Sequence, residues 1–281
     1  MPRVVILGAK GGPAVRQGGA MPTALLVEIG AMQLVVDCGL GVTRGLVQAG
    51  MDLRRLSHIV ITHLHSDHVL ELGPLIHTAW TTGLKTPVEV WGPAGLRDYW
   101  AGFMASMAYD SSLRVEDEGR PPLDSLVRLH VLEEGQLTIG PLSARALRVP
   151  HPPVTDCFAL RLEAGGKTLC LSSDTAPFSP LAELALNADL LLHEAMLPEG
   201  LEAIIAKTGM GDRLRAHLTN SHSTAEAAAS IATQAQVRHL AFYHLIPADD
   251  PAFNEGHWRA AIKGHWDGPF TLARDGLAIE F

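Results

Sequence analysis

The run HIVITHLHSDH (residues 58–68) decides the reading of this chain. It opens on HIVIT (58–62), a β-branched apolar stretch with the pattern of a strand. Immediately after it, T-H-L-H-S-D-H (62–68) brings three imidazoles and one carboxylate together. Imidazole and carboxylate in combination suit Zn, Mn or Fe. Alternation in an extended segment sets His63 and His65 on one side, and a helix expected to start at Ser66 swings Asp67 and His68 toward a second position. The local pattern therefore favours two adjacent metals over a solvated His-rich loop.

Working outward, short β-branched runs alternate with helical patterns, which argues for an α/β fold with helix-covered sheets. Strands are expected at VVIL (4–7), ALLVEI (24–29), QLVVDC (33–38), ARALRV (144–149), TLCLSS (168–173), LLLH (190–193) and HLAFYH (239–244). Five strands deliver a His or Asp at or just past their carboxyl ends: HIVIT leads to His63, ARALRV to His151 and TLCLSS to Asp174, while LLLH ends at His193 and HLAFYH at His244. Ligands of open α/β sheets sit at that edge, so residues remote in sequence converge there. A helix starts at Ser66 and runs toward Leu75, and Trp100, Phe103, Met104 and Met107 fall on one face of another, reading as a core helix before a pocket wall. The polar stretch SSLRVEDEGRPPLDS (111–125) reads as a loop. GAKGGPAVRQGG (8–19) lacks the spacing of a nucleotide-binding loop and reads as backbone that approaches the site. His257-Trp258 and His265-Trp266 are expected to pack a C-terminal helix. No linker demands a cut, so one domain over residues 1–281 is expected.

LGAKGGP (7–13), VVDCGLGVTRGL (35–46), ITHLHSDH (61–68), HPP (151–153), SSDT (172–175), ADLLLHEAM (188–196), SHST (221–224) and His244 occur in this order along nearly the whole chain. With them the sequence resembles the metallo-β-lactamase superfamily, and more closely its ribonuclease Z-like and arylsulfatase-like branch. The resemblance implies an αββα sandwich of two mixed β-sheets flanked by helices, with the site at one edge. Carried over by position, it makes His63, His65 and His151 ligands of one metal and Asp67, His68 and His244 ligands of the other, with Asp174 bridging. It implies two divalent ions, Zn first, with Mn or Fe as alternatives. His193 and Glu194 match a His-Glu-Ala-Thr segment, with Met196 where threonine is usual, and read as supports behind the ligands. Ser223 to Glu226 reads as a capping box, which places His222 just before a helix N-terminus. In ribonuclease Z-like enzymes the matching histidine protonates the leaving oxygen, so His222 and Asp67 are the expected catalytic pair.

Hydrolysis of a small phosphodiester or sulfate ester is the expected activity, because a general acid helps most when the leaving oxygen is basic. Lactone or β-lactam opening is the runner-up, and a metal-binding protein without catalysis is the alternative outside enzymology. A transfer RNA 3′-processing nuclease is expected to carry an RNA-clamping arm between the residues matching His151 and Asp174, where only enough chain for a hairpin is present. The formal net charge of -8 (Lys+Arg 22, Asp+Glu 30) also disfavours nucleic acid. The segment Leu84–His130 is the place left to shape a small-molecule pocket. The first residues are too short a run for a signal peptide and no stretch approaches a membrane span, so a cytoplasmic protein is expected. Cys38, Cys157 and Cys170 read as buried thiols, and homodimerisation is an analogy to relatives.

Overall fold

The computed structural model describes residues 1–209 and 211–281. Its strands form two mixed sheets. The first holds β1 (Arg3–Gly8), β2 (Ala24–Ile29), β3 (Met32–Val36), β4 (His58–Val60), β5 (Val88–Gly92), β6 (Val127–Val131) and, at its far edge, β14 (Ala278–Glu280), in the order β14-β1-β2-β3-β4-β5-β6. The second holds β7 (Gly135–Ile139), β8 (Leu142–Arg148), β9 (Phe158–Ala164), β10 (Lys167–Leu171), β11 (Leu190–Met196), β12 (Leu240–Ile246) and β13 (Phe270–Leu272), running β13 to β7 in reverse order. Strands β3 to β6 are parallel, as are β10 to β13.

Helices α1 (Val42–Gln48), α2 (Ser66–Val69), α3 (Leu72–Thr82), α4 (Leu96–Ser106) and α5 (Ala108–Glu118) belong to the first half of the chain. Helices α6 (Leu181–Leu184), α7 (Leu201–Thr208), α8 (Gly211–Ser221), α9 (Ala225–Gln234) and α10 (Glu255–Ile262) belong to the second. This is the expected αββα sandwich of two mixed sheets flanked by helices. Alternation within single strands explains the layering. Val4 and Ile6 face the core between the sheets, while Val5 and Leu7 face the core shared with Val42, Leu46 and Leu72 of α1 and α3. In β12, Ala241 and Tyr243 enter the intersheet core, while Leu240 and Phe242 meet Ala229 of α9 and Trp258 of α10. Strands buried on both faces read as continuous apolar runs, which is why they stood out in the sequence. No helix among the described residues is long and apolar enough to cross a membrane.

Two local expectations are corrected. Residues 111–125 are not a loop: α5 occupies the first half and a short 3₁₀ turn follows at Leu123–Leu126. Arg114 reaches both Asp110 and Glu118 at i±4 spacing, a helix-stabilising pattern inside a polar sequence, and Gly119 at φ 66 ends the helix. The segment starting at Ser66 forms two helices, α2 and α3, rather than one. Trp100 is buried in the core, with Phe103 and Met104 packed against it, so α4 is a core helix. Trp258 is buried in the core over the second sheet, with Trp266 packed against it. Cys38, Cys157 and Cys170 are free and buried.

Candidate metal centre

The carboxyl edges of both sheets meet over one cluster. β4 leads through Ile61 and Thr62 into His63 and His65, the first turn of α2 carries Asp67 and His68, the loop after β8 carries His151, and that after β10 carries Asp174. His244 arrives differently. Tyr243 pairs with Glu194 and Leu245 with Ala195, so His244 is an extra residue in β12, at φ 45. Such a bulge re-aims a side chain that strict alternation would send to the helix-covered face with Phe242. Asp37 (φ 63) and Ser173 (φ 54), next to Asp174, are also left-handed. Strained backbone thus gathers at this edge.

Ligand-type atoms converge in the two expected sets, His63/His65/His151/Asp174 and Asp67/His68/His244, and in a third, Asp174/His222/His244, that overlaps both, with atoms inside each group lying within 4.8 Å of one another. His65 Nδ1 is 3.1 Å from His63 Nε2 and 3.0 Å from His151 Nε2. Asp174 Oδ2 sits between the groups, 3.7 Å from His63 and His151, 3.4 Å from His68 and 3.1 Å from His244. Asp67 Oδ2 lies 3.6 Å from His68 Nε2 and 3.4 Å from His244 Nε2. Two tetrahedral ligands at roughly 2.0–2.2 Å from one ion lie about 3.3–3.6 Å apart, so these spacings suit a shared cation. Three buried ligand-type atoms of the cluster, His68 Nε2, Asp174 Oδ1 and His244 Nδ1, have no hydrogen-bond partner among the described residues. The residues present therefore fit a divalent metal site.

The opposite ring nitrogens are held in the manner that orients metal-binding imidazoles. His63 Nδ1 contacts Thr62 Oγ1 at 3.2 Å, His68 Nδ1 donates to Asp37 Oδ2 at 2.8 Å, and His151 Nδ1 donates to the Ser221 carbonyl at 2.9 Å. Sequence reasoning missed Asp37. It also accepts from Thr62 N and Thr62 Oγ1, tying β3 to the end of β4, and the D-C-G after an apolar strand was its signal.

Asp37, Asp67, Asp174 and Glu194 are all buried beside this cluster. Burial alone would keep a carboxylate protonated, yet the charges of His244 and His68 hold Asp174 well below the usual range. Burial likewise opposes charge on His68, but Asp174, Asp37 and Asp67 push it up to about 10. Carboxylates that hold protons on buried imidazoles mark a site where cations can take the place of those protons. His65, half-buried and beside His151, is lowered to about 4.

Glu194, read from the sequence as a support behind the ligands, is buried against His222 and the Asp174 loop. Its Oε2 accepts from His222 Nδ1 at 2.7 Å and its Oε1 accepts from Thr175 N at 2.6 Å, next to Asp174. His193 is elsewhere: β11 continues past it to Met196, and its Nδ1 donates to the Glu194 carbonyl. One residue of strand alternation separates a site residue from a structural one. His222 lies between α8 and α9, stacked on His244 with ring centroids 5.5 Å apart. The cap of α9 is Thr224, whose hydroxyl accepts from Ala227 N, while Ser223 Oγ donates to the Thr175 carbonyl. The cap is therefore one residue later than expected and, with Ala227 at N3, the expected capping box does not form, because Ser223 is used to tie the helix start to the Asp174 loop.

A cavity of ≈ 300 Å³ opens on the cluster, at the small end of ligand pockets. Its walls come from the glycine-rich loop, from Ile204, Leu214 and Leu218 on α7 and α8, and from residues 246–250, with none from Leu84–His130. That correction has a topological cause: residues 84–130 build β5, β6, α4 and α5 on the first sheet. The glycine-rich loop does approach the site. Gly12 N donates to Asp67 Oδ2 at 2.8 Å, and a Cβ at Gly11 would fall 2.8 Å from the His244 ring. Lys10 pins this loop by pairing with Asp249 at 2.9 Å.

Residues 4–222 match the family model described as anti-Pycsar protein Apyc1. A curated Ribonuclease Z of Mycolicibacterium gilvum is 30% identical over 284 residues, covering 98% of this chain and 94% of that protein. Among solved structures, the metallo-β-lactamase fold protein YhfI of Bacillus subtilis superposes with a TM-score of 0.74 at 22% identity over 100% of both chains. A diphosphatase of the PhnP family gives 0.69 at 16% identity, over 100% of this chain and 98% of that one. The chain belongs to the metallo-β-lactamase superfamily of metal-dependent hydrolases, as a ribonuclease Z-like member within the reach of the Apyc1 family model.

Proposed function

We propose that this hydrolase cleaves a small phosphodiester or sulfate ester, working as one catalytic domain over residues 1–281 in the cytoplasm. The observation that carries the reading is His222, buried at the cavity wall with Nδ1 on Glu194 at 2.7 Å. Burial opposes its charge, but the Glu194 carboxylate raises its pKa above the ordinary value and so favours the protonated ring. That arrangement suits a general acid for a basic leaving oxygen, a need that lactone and β-lactam opening share less.

In this reading His63, His65 and His151 would hold one ion and Asp67, His68 and His244 the other, with Asp174 within reach of both. Zn is the first choice, with Mn and Fe as alternatives. A pair of divalent ions held there supplies Lewis-acid stabilisation for charge developing on the ester oxygens. Asp67, fixed by the Gly12 N–H, orients the attacking water and accepts its proton. His222 delivers a proton from Nε2 to the departing oxygen. Ile204, Leu214 and Leu218 limit water beside the reacting ester.

The test is a hydrolysis screen of metal-analysed protein across aryl phosphodiesters, aryl sulfates, lactones, β-lactams and pre-tRNA. Turnover of the first two classes with His222→Ala losing on the order of 10²–10⁴ in kcat on a poor leaving group, and much less on an activated aryl ester, supports the reading. An equal loss on both leaving groups removes the general-acid role. A pre-tRNA nuclease is the second reading, favoured by the match to Ribonuclease Z along 98% of the chain. Against it, the segment between His151 and Asp174 is used up by the β9–β10 hairpin, turned by Gly165 and Gly166.

A further inference from the structure

His217 sits on α8 one turn before Ser221, so both side chains share a helix face. It lines the cavity, and its ring centroid lies 6.1 Å from His65, 6.2 Å from His151 and 5.9 Å from His222. It is thus at the heart of the site, yet no ligand-type group includes it. Where His151 and His222 are each fixed by a firm hydrogen bond, His217 makes a single long one, 3.5 Å from Nδ1 to Ser221 Oγ. The Ser221 hydroxyl already gives its only proton to the Pro152 carbonyl, so toward His217 it can only accept. Nδ1 then carries the hydrogen. A neutral imidazole so arranged presents a lone pair at Nε2, for which the described residues supply no donor.

We propose that His217 is a substrate-binding residue whose Nε2 accepts a hydrogen bond from a hydroxyl or N–H group adjacent to the scissile ester. The proposal rests on the small-ester reading and narrows it to esters of polyol-like or amide-bearing alcohols. Neither His222 nor the ligand candidates can serve that donor, because their facing nitrogens are assigned to proton delivery or to the metal.

The test has a binding arm and a kinetic arm, both at pH 8, above the ordinary imidazole range. Long-range ¹H–¹⁵N spectra of the metal-loaded protein, with His217 identified by its loss in His217→Phe, are expected to show the Nδ1–H tautomer. The Nε2 resonance should move on addition of 3-hydroxypropyl phosphate and stay in place with 3-methoxypropyl phosphate. An Nε2–H tautomer, or identical responses to the two ligands, overturns the proposal. In the kinetic arm, His217→Phe should retain its metal and raise KM about 10-fold more for 3-hydroxypropyl p-nitrophenyl phosphate than for the 3-methoxypropyl ester. His217→Gln, which keeps an acceptor, should restore most of the loss. Equal effects on the two esters overturn the proposal. If the wild type cleaves neither ester, the phosphodiester reading fails, and the spectra alone decide the role of His217.

Discussion

At the scale of single residues the cluster is held together by shared carboxylates. Asp174 Oδ2 faces four imidazoles from both groups, so one substitution reaches both. Asp174→Ala is expected to strip or sharply weaken two metals per chain, measured by elemental analysis after gel filtration, and retention of both would mean that the bridge is wrongly assigned. Glu194 acts differently, through His222. A raised pKa extends the imidazolium to higher pH than an ordinary histidine and loses it as pH rises past that raised value, so kcat should fall on the basic side. Glu194→Gln removes the charge that raises it, and the basic limb should move to lower pH while metal content is kept. An unmoved limb would show that another group sets it. The residue types of this chemistry were legible without the structure, in T-H-L-H-S-D-H and in the separate segments that carry His151, Asp174, Glu194, His222 and His244. Asp37, His217 and the misassigned His193 did need it, since each depends on which way a side chain points.

At the scale of elements, the glycine-rich loop is the part most finely fitted to the site. Its backbone passes close enough to His244 that a Cβ at Gly11 would sit 2.8 Å from the ring, and the next residue donates to Asp67. Gly11→Ala should therefore weaken metal retention by about 10-fold, comparable to losing a supporting contact, read by chelator competition. Wild-type retention would show that the loop yields. Strand positions were legible because both faces of β1, β10 and β12 are apolar. Helix α5 was not, since its stability comes from Arg114 pairing along the helix and from packing of α4, not from an apolar stripe. The cap at Thr224 was misplaced by one residue because Ser223 and Thr224 are equally good caps by chemistry, and only the contact of Ser223 with Thr175 separates them.

At the scale of the whole molecule, charge and cavity size point to the same class of substrate. A formal net charge of -8 offers no general basic field for nucleic acid, whose binding is strong and steeply salt-dependent where many phosphates are contacted. Hydrolysis of small esters is expected to change only mildly between low and physiological salt, with pre-tRNA cut poorly, as followed by initial rates across a salt series. Efficient site-specific cleavage of pre-tRNA at physiological salt would restore the nuclease reading. The sequence by itself determined the layered α/β architecture and the inventory of His and Asp at the strand ends, because periodicity and local motif chemistry are written in neighbouring residues. The tertiary structure alone decided where the cavity lies and what walls it, since α7, α8 and residues 246–250 meet the glycine-rich loop only after the sheets pack. It also decided that His244 turns inward, because the bulge that aims it exists only in the pairing of β12 with β11.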